Sequence, residues 1–368
     1  MKENKQEITL FQMFLFIIQT VTGIGVLTLP YDMYKVSKED SWISILIGGT
    51  LISMGIFIIW LLLKRFPGST IFELSTKISG EYLGAFIKVS YIFFFLYTSV
   101  HLSLLFGRLV SIWVLPRTPI WITIFLILSV GVYCATKNLK IIARFFTVVS
   151  VLAFVLFLLI TYIVKDIDIH YILPIGQNGI HTILKGALKG SLAFAGFETI
   201  LIIFPYTKGK SIHKFHISLL ALISMTLFYA YITFICITFF GPAVMKLVPQ
   251  PLLYILKYQS FQVIERTDLL FFSIWTVSVA TSIMSYLYVA SIGLANLLRH
   301  DRHSTFVPYA AMLVFIVTLL IPQNEKYINL VSRFYGLLSP IFLFGIPGLL
   351  LIFSLFLKKA DIQGGSQS

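Results

Sequence analysis

Charged residues are scarce in this sequence, and cysteine is almost absent. Asp, Glu, Lys and Arg together make up 12% of the 368 residues, against roughly 25% in a typical soluble domain. Both cysteines, Cys134 and Cys236, lie in apolar runs, so neither a disulfide framework nor a metal site is indicated. No polar stretch is long enough to form a separate soluble domain. A water-soluble fold is therefore excluded, and any functional site must lie within apolar segments or their loops.

Long apolar runs fill most of the chain, of which 58% is hydrophobic. A helix crosses a bilayer core about 30 Å thick with about 20 apolar residues. The residue alternation of a membrane barrel is absent, so the runs must be helices. We predict an all-α integral membrane protein, a single transmembrane domain over residues 1–368. Its ten predicted spans are Leu10–Tyr34, Trp42–Leu63, Leu83–Leu105, Ile120–Ala135, Ile141–Val164, Leu184–Tyr206, Ile217–Phe240, Leu269–Leu298, Phe306–Ile321 and Leu330–Leu357.

The net charge of +13 comes from basic residues scattered through the inter-helix loops. This pattern favours anionic lipid headgroups as the partner and argues against nucleic acid, which requires a basic stripe or patch. The first apolar run is too long for the core of a signal peptide, so we expect it to remain as helix 1. Lys and Arg are more frequent on one side of the predicted topology, and this bias places both termini inside.

Three connections stand out between the spans. Residues 66–80 fit either a short amphipathic helix on the inner surface or an ordered loop. The longer connections 165–182 and 241–267 are rich in Pro, Gly and aromatic residues, so they are expected to cap the outer mouth or contact a partner.

Two predicted helices carry interruptions at matching depth. Helix 1 contains paired glycines in the segment 22–30, TGIGVLTLP, and helix 6 contains a glycine and a carboxylate in the segment 191–198, SLAFAGFE. The interruptions lie at the start of two five-helix halves, which we place at residues 10–164 and 184–357. Matched breaks in two halves indicate an inverted-repeat fold with a binding site at the repeat interface, as in LeuT-like transporters.

A helix broken in mid-membrane exposes N–H groups on one side and C=O groups on the other. The N–H groups near Gly23 to Val26 are therefore candidates to bind a carboxylate, and the carbonyls near Phe194 to Gly196 to bind an ammonium group. The alternative is that the glycines only allow close helix packing. The candidate ligand-binding residues on the two segments are Thr22, Gly23, Gly25, Phe194, Gly196, Phe197 and Glu198.

Glu198 is the most informative single residue, because a charged group near mid-bilayer costs roughly 3 kcal/mol on insertion scales. Three roles remain open for it: contacting a ligand amine, carrying a coupling proton, or accepting backbone N–H groups at the break. A snorkelling position is the alternative to all three.

Helices 3 and 8 supply further polar candidates. Tyr97 and Ser285 lie near mid-helix and are the stronger candidates, with Tyr288 beside them, although polar side chains at helical spacing often only bridge helices. The hydroxyls of Thr281 and Ser282 suit a sodium ion weakly. Arg108 and Arg333 are expected to snorkel near outer helix ends.

The segments GIGVLTLP and FAGFE resemble the first and sixth helices of the amino acid/polyamine/organocation transporter superfamily. The phrase ILPIG at residues 172–176 and Phe204-Pro205 before Lys208 resemble one branch, the spore germination permease family, B subunits of spore germinant receptors. This resemblance implies a nutrient sensor in the inner membrane of an endospore, acting with a larger A subunit and a lipoprotein C subunit. It also implies a cavity formed by Gly23, Gly25, Tyr97, residues 196–198, and Ser285 or Tyr288.

Three functions compete. A receptor subunit binds an amino acid or sugar and shifts its conformation, whereas a secondary transporter uses the same cavity with ion coupling. Helix 5 lacks the mid-membrane lysine of some proton-coupled relatives, which favours sensing. A membrane enzyme needs a nucleophile, a base and a stabilising group, and His101 and Glu198, without surrounding motifs, are the only candidates. We therefore expect no enzyme activity and no cofactor.

Overall fold

The structure, a computed structural model, describes residues 7–23, 25–259, 266–357 and 360. In this part the chain folds through helices joined by turns and loops, with a parallel β-bridge between Ile8 and Thr207. Ile24 of the helix 1 motif and residues 260–265 of the second long connection lie outside the described residues. The α-helices are α1 Leu10–Val21, α2 Gly25–Ser37, α3 Ser41–Arg65, α4 Ile71–Trp113, α5 Ile120–Ala135, α6 Leu139–Thr161, α7 Ile180–Gly190, α8 Ile200–Ile203, α9 Ser211–Met245, α10 Pro251–Tyr258, α11 Thr267–Leu297, α12 Val307–Leu320, α13 Glu325–Pro340 and α14 Ile346–Phe356.

Seven helical stretches of the described chain are long and apolar enough to cross a bilayer, and the bent pair formed by residues 180–194 and 197–206 is an eighth. The chain is therefore a multi-pass membrane protein. The helices α1 and α5 are apolar but shorter, so the count of ten spans stays a prediction. The division into repeats at 10–164 and 184–357 also stays a prediction.

The breaks predicted in helices 1 and 6 are confirmed. The helical hydrogen bonds of α1 end before Gly23, whose N–H donates to the Val21 carbonyl at 2.7 Å. Helix α2 begins at Gly25. In helix 6, α7 runs into a 3-10 turn that ends at Phe194, and the axis then bends by 51°. Gly196 has φ 122°, a conformation that a side chain with Cβ rarely adopts.

The broken helices lie inside a shell of the longer ones. Helix α1 packs against α6, α9 and α11, and α2 packs against α7 and α9. The core is built from large apolar side chains, and α11 is buried along most of its length. Surrounding the breaks with continuous helices keeps their irregular backbone away from lipid, where unpaired N–H and C=O groups are costly.

Residues 71–79 form a helix, which decides between the two alternatives for the 66–80 segment. A capping box begins it, since the Thr70 N–H donates to the Glu73 carboxylate at 2.9 Å. Gly80 then separates it from the long part of α4 with φ 82° and ψ −177°. Helix 3 continues beyond its predicted end at Leu105 to Trp113.

A clamp of hydrogen bonds joins the turn between α2 and α3 to the loop that precedes α7. The Asp40 carboxylate is 1% exposed and accepts the backbone N–H groups of Gly176, at 2.7 Å, and Asn178, at 3.2 Å. The Asn178 side-chain amide donates to Asp40 and to Glu39, and Glu39 also accepts the Tyr34 hydroxyl at 2.8 Å. The clamp therefore ties α2 and α7, the parts of helices 1 and 6 on that side of the breaks, to each other.

Replacing Asp40 by Asn tests this clamp. The new amide places N–H groups against the donors of Asn178, and a buried donor left unpaired costs about 1–3 kcal/mol. We expect Asp40→Asn to lower the thermal unfolding midpoint in detergent and to speed proteolysis within residues 173–179. The control is Asp168→Asn, because the Asp168 side chain is 51% exposed. Equal midpoints for the two variants would contradict the clamp.

Candidate functional site

A cavity of about 880 Å³ lies against both helix breaks. Gly23 and Gly25 line it from helix 1, and Ala193 and Ala195 line it from helix 6. It extends along α2, α4 and α13 to Pro249 and Gln250 in the loop before α10. This volume suits a small molecule, and the cavity approaches the end of the bundle predicted to face outside.

The floor of the cavity carries uncharged polar groups. The Thr20 hydroxyl lies 2.8 Å from Ser285 Oγ, to which it donates, and the Thr98 hydroxyl donates to the Phe94 carbonyl. His101 Nε2 lies 2.9 Å from the Ser332 hydroxyl, and its ring stacks on the Tyr335 ring with centroids 4.8 Å apart. The floor therefore offers hydroxyls, an imidazole and aromatic faces to a ligand.

One face of α4 contributes a continuous stripe to the wall. Its lining residues recur at the three- and four-residue spacing of a helix face: Thr98, His101, Leu102, Leu105, Arg108, Leu109 and Ile112. Tyr97 lies next to this stripe. Its hydroxyl donates to the Val331 carbonyl at 2.8 Å and its ring contacts Phe93 and Phe334, so the structure gives Tyr97 a helix-bridging contact and leaves it out of the lining.

Four other predicted ligand residues also lie away from the cavity wall. The Thr22 hydroxyl donates to the Ile18 carbonyl at 2.7 Å. Phe194 packs on the Tyr229 ring and Phe197 is fully buried. Tyr288 contacts the His303 ring.

Three further predicted residues do not line the cavity themselves but contact residues that do: Gly196, Glu198 and Ser285. Glu198 is 1% exposed, and its two carboxylate oxygens accept the Gly196 N–H at 2.9 Å and the Tyr286 hydroxyl at 2.8 Å. Of the roles left open by the sequence, accepting a backbone N–H at the break is therefore the one that this geometry supports. Ser285 receives the hydroxyl of Thr20, which does line the cavity.

The hydroxyls of Thr281 and Ser282 are engaged by Gln19 at the end of α1. Ser282 donates to the Gln19 backbone carbonyl at 3.1 Å, and Thr281 donates to the Gln19 side-chain oxygen at 3.1 Å. The Gln19 amide also donates to Ser150 on α6. A neutral amide thus joins α1, α6 and α11 at the position considered for sodium.

The end of the cavity predicted to face outside is lined by charged side chains that the sequence reasoning missed or assigned elsewhere. The cations are Lys35, Arg108, Lys189 and Arg333, and the anions are Asp32 and Glu325. Arg108 and Arg333 were expected to snorkel, yet both line the cavity. The sequence signal for these residues was their charge near the ends of apolar spans. That signal did not indicate which of the charged side chains face the cavity.

The family profile described as spore germination protein matches residues 7–328. This chain belongs to the spore germination protein family. The spore germination proteins that it resembles include YndE of Bacillus subtilis (strain 168), 26% identical over 96% of this chain and 98% of that protein. Spore germination protein GerQB of Bacillus cereus is 25% identical over 92% of this chain and 93% of that protein.

The fold of this spore germination protein is shared with a solved transporter. Mhp1, a nucleobase-cation-symport-1 family transporter in a closed conformation with bromovinylhydantoin bound, aligns with a TM-score of 0.63 and 14% sequence identity. The match covers 93% of this chain and 78% of that chain. The LeuT-like fold predicted from the sequence is confirmed, and the chain falls in a permease family and not in an enzyme family.

Proposed function

We propose that this chain is the nutrient-sensing subunit of a spore germinant receptor, and that it binds an amino acid or sugar in the cavity between the helix breaks. The observation that carries the proposal is the cavity of about 880 Å³ lined by both breaks, in a chain whose family is that of spore germination proteins. Occupancy shifts the bundle toward one conformation by the difference in affinity between the two states.

The chemistry of the lining supports a ligand with an anionic group. Gly25 lies at the start of α2, where the first-turn N–H groups have no intrahelical acceptor and the helix dipole is positive. Four cations against two anions line the outer part of the cavity. The backbone at Ala193 and Ala195 follows the end of α7, where carbonyl groups suit an ammonium. An amino acid carries both complementary groups.

A thermal-shift screen of the full-length chain in detergent tests the proposal. The probes are the twenty proteinogenic L-amino acids and glucose. A ligand that binds only the native state raises the unfolding midpoint by mass action, with about 2.7 kcal/mol of stabilisation at a hundredfold excess over Kd. We expect at least one probe to raise the midpoint in a saturable manner. A flat response to all of them would contradict the proposal for these solute classes.

The second candidate function is an ion-coupled secondary transporter, favoured by the fold shared with Mhp1. Proteoliposomes containing this chain alone separate the two functions. The hydroxyls of Thr281 and Ser282, considered as sodium ligands, donate hydrogen bonds to Gln19. A receptor is therefore expected to bind its ligand equally well in sodium and in potassium buffer. Accumulation of the labelled solute that depends on a sodium gradient would favour the transporter.

We also propose the partner subunits, the membrane and the orientation of this chain. As a receptor subunit it acts with a larger A subunit and a lipoprotein C subunit in the inner membrane of the endospore, with both termini inside and anionic lipids against its basic loops. Co-purification of this chain with both subunits from spore membranes is the expected result.

A further inference from the structure

The side chains of Tyr286 and Glu198 connect the cavity floor to the break in helix 6. Tyr286 lines the cavity and donates its hydroxyl to one oxygen of Glu198 at 2.8 Å. The other oxygen accepts the N–H of Gly196 at 2.9 Å. Both side chains are 1% exposed, so water has little access to compete for these hydrogen bonds.

Glu198 holds no counter-ion in the part of the chain that the structure describes; the ion pairs within 4.0 Å there involve other carboxylates. Its hydrogen-bond partners are therefore the break itself and a residue of the cavity wall. A carboxylate held by the Gly196 N–H and the Tyr286 hydroxyl follows the position of either donor. Displacement of the Tyr286 phenol is thus passed to the Gly196 backbone.

The break in helix 6 in turn touches the break in helix 1. A Cβ placed on Gly196 lies 3.1 Å from the backbone nitrogen of Val21, the last residue of α1. The Val21 carbonyl accepts the Tyr229 hydroxyl at 2.9 Å. The same Cβ position lies 2.8 Å from a Val21 methyl and 3.2 Å from the Thr20 carbonyl carbon. Backbone atoms of α1 therefore face Gly196 beside the Val21 side chain, and a close-packed contact of this kind passes movement at Gly196 to the end of α1.

We propose that Tyr286 and Glu198 form a relay that couples a solute in the cavity to both helix breaks. Tyr286 is the contact with the solute, and Glu198 is a positioning residue that acts through Gly196 and Val21. The relay rests on the proposed function in one respect, since it requires the cavity to accept a solute. Its geometry, however, also predicts an effect in the absence of any solute.

The solute-free experiment measures alkylation of Ala195→Cys, a position in the cavity wall beside Gly196, in a Cys134→Ser, Cys236→Ala background of the full-length chain in nanodiscs. We expect Tyr286→Phe and Glu198→Gln each to change the alkylation rate about fivefold or more. The double variant is expected to match the larger single effect, because both changes interrupt the same path. Single effects that multiply in the double variant would overturn the relay.

The matched control is Tyr91→Phe. Tyr91 is a fully buried tyrosine whose hydroxyl donates to the Phe342 carbonyl at 2.9 Å, away from the cavity lining. Its removal is expected to leave the alkylation rate within about twofold. An effect of Tyr91→Phe as large as that of Tyr286→Phe would also overturn the relay. If Tyr286→Phe and Glu198→Gln both aggregate while Tyr91→Phe stays monodisperse, the pair only stabilises the fold. That result would also overturn the relay.

The second arm adds the amino acid or sugar that raises the midpoint in the thermal-shift screen. In the reference protein, saturating solute is expected to change the Ala195→Cys alkylation rate. In Glu198→Gln the solute is expected to bind with a Kd within about fivefold but to leave the rate unchanged. A full solute response in that variant would overturn the relay. If no probe binds, the proposed function fails, while the solute-free arm still decides the relay.

Discussion

The variant Gly196→Ala is expected to destabilise the protein strongly, although it adds only one methyl group. Gly196 has φ 122°, and forcing a residue with Cβ into positive φ costs about 1–2 kcal/mol. The added Cβ would also lie 2.8 Å from a Val21 methyl and 3.1 Å from the Val21 backbone nitrogen. Overpacking of this kind costs about 1–3 kcal/mol, and a backbone atom cannot move aside as a side chain does.

Together these terms predict a loss of about 3 kcal/mol, which lowers the thermal unfolding midpoint by about 5 °C or more. The measurement is fluorescence-detected size-exclusion chromatography after heating in detergent. The matched control is Gly25→Ala, because a Cβ on Gly25 has nothing within 4 Å and alanine suits a helix better than glycine. Equal midpoints for Gly196→Ala and the control would show that helix 6 does not break in this geometry.

Filling the cavity at Gly25 is expected to abolish ligand binding without unfolding the protein. Gly25 lines the cavity and has open space around its Cβ position, so the indole of Gly25→Trp enters the volume reserved for the ligand. Binding energy in a pocket of this size depends on contacts over most of the ligand surface. We expect the Kd of any stabilising amino acid or sugar to rise at least about a hundredfold.

The control for this prediction is Gly348→Trp on α14. Gly348 also has nothing within 4 Å of its Cβ position but does not line the cavity. Both variants are measured by the ligand-induced shift of the unfolding midpoint. An unchanged shift in Gly25→Trp would place the ligand elsewhere in the bundle, even if the protein binds it.

Sequence patterns located the two breaks because a break depends on local properties. Paired glycines at 23 and 25, and the glycine at 196 two residues before a carboxylate, weaken a helix wherever it is packed. The same patterns did not identify the wall. Ser285 and Tyr288 were favoured on α11, whereas the lining residue is Tyr286. One position along a helix rotates a side chain by about 100°, so a site assignment fails unless the rotation of the helix is known.

Arg108 and Glu198 show the same limit for charged residues. A charge in an apolar span predicts a wet cavity, a partner or a snorkelling position, and sequence alone does not distinguish them. Packing of α4 against α11 and α13 turned Arg108 toward the cavity. Glu198 accepts the N–H of Gly196, two residues before it, and the hydroxyl of Tyr286 on α11. The second contact depends on how α11 packs against the break.

By itself, the sequence determined that this chain is helical, lies in a membrane, and is interrupted in its first and sixth helices. These properties follow from the transfer of apolar residues into lipid and from the backbone preferences of glycine, both of which are local. The tertiary structure alone decided which side chains line the cavity, that Glu198 caps the break, and that the two breaks touch. Those properties depend on how each helix is rotated and placed against its neighbours, which is set by the packing of the whole bundle.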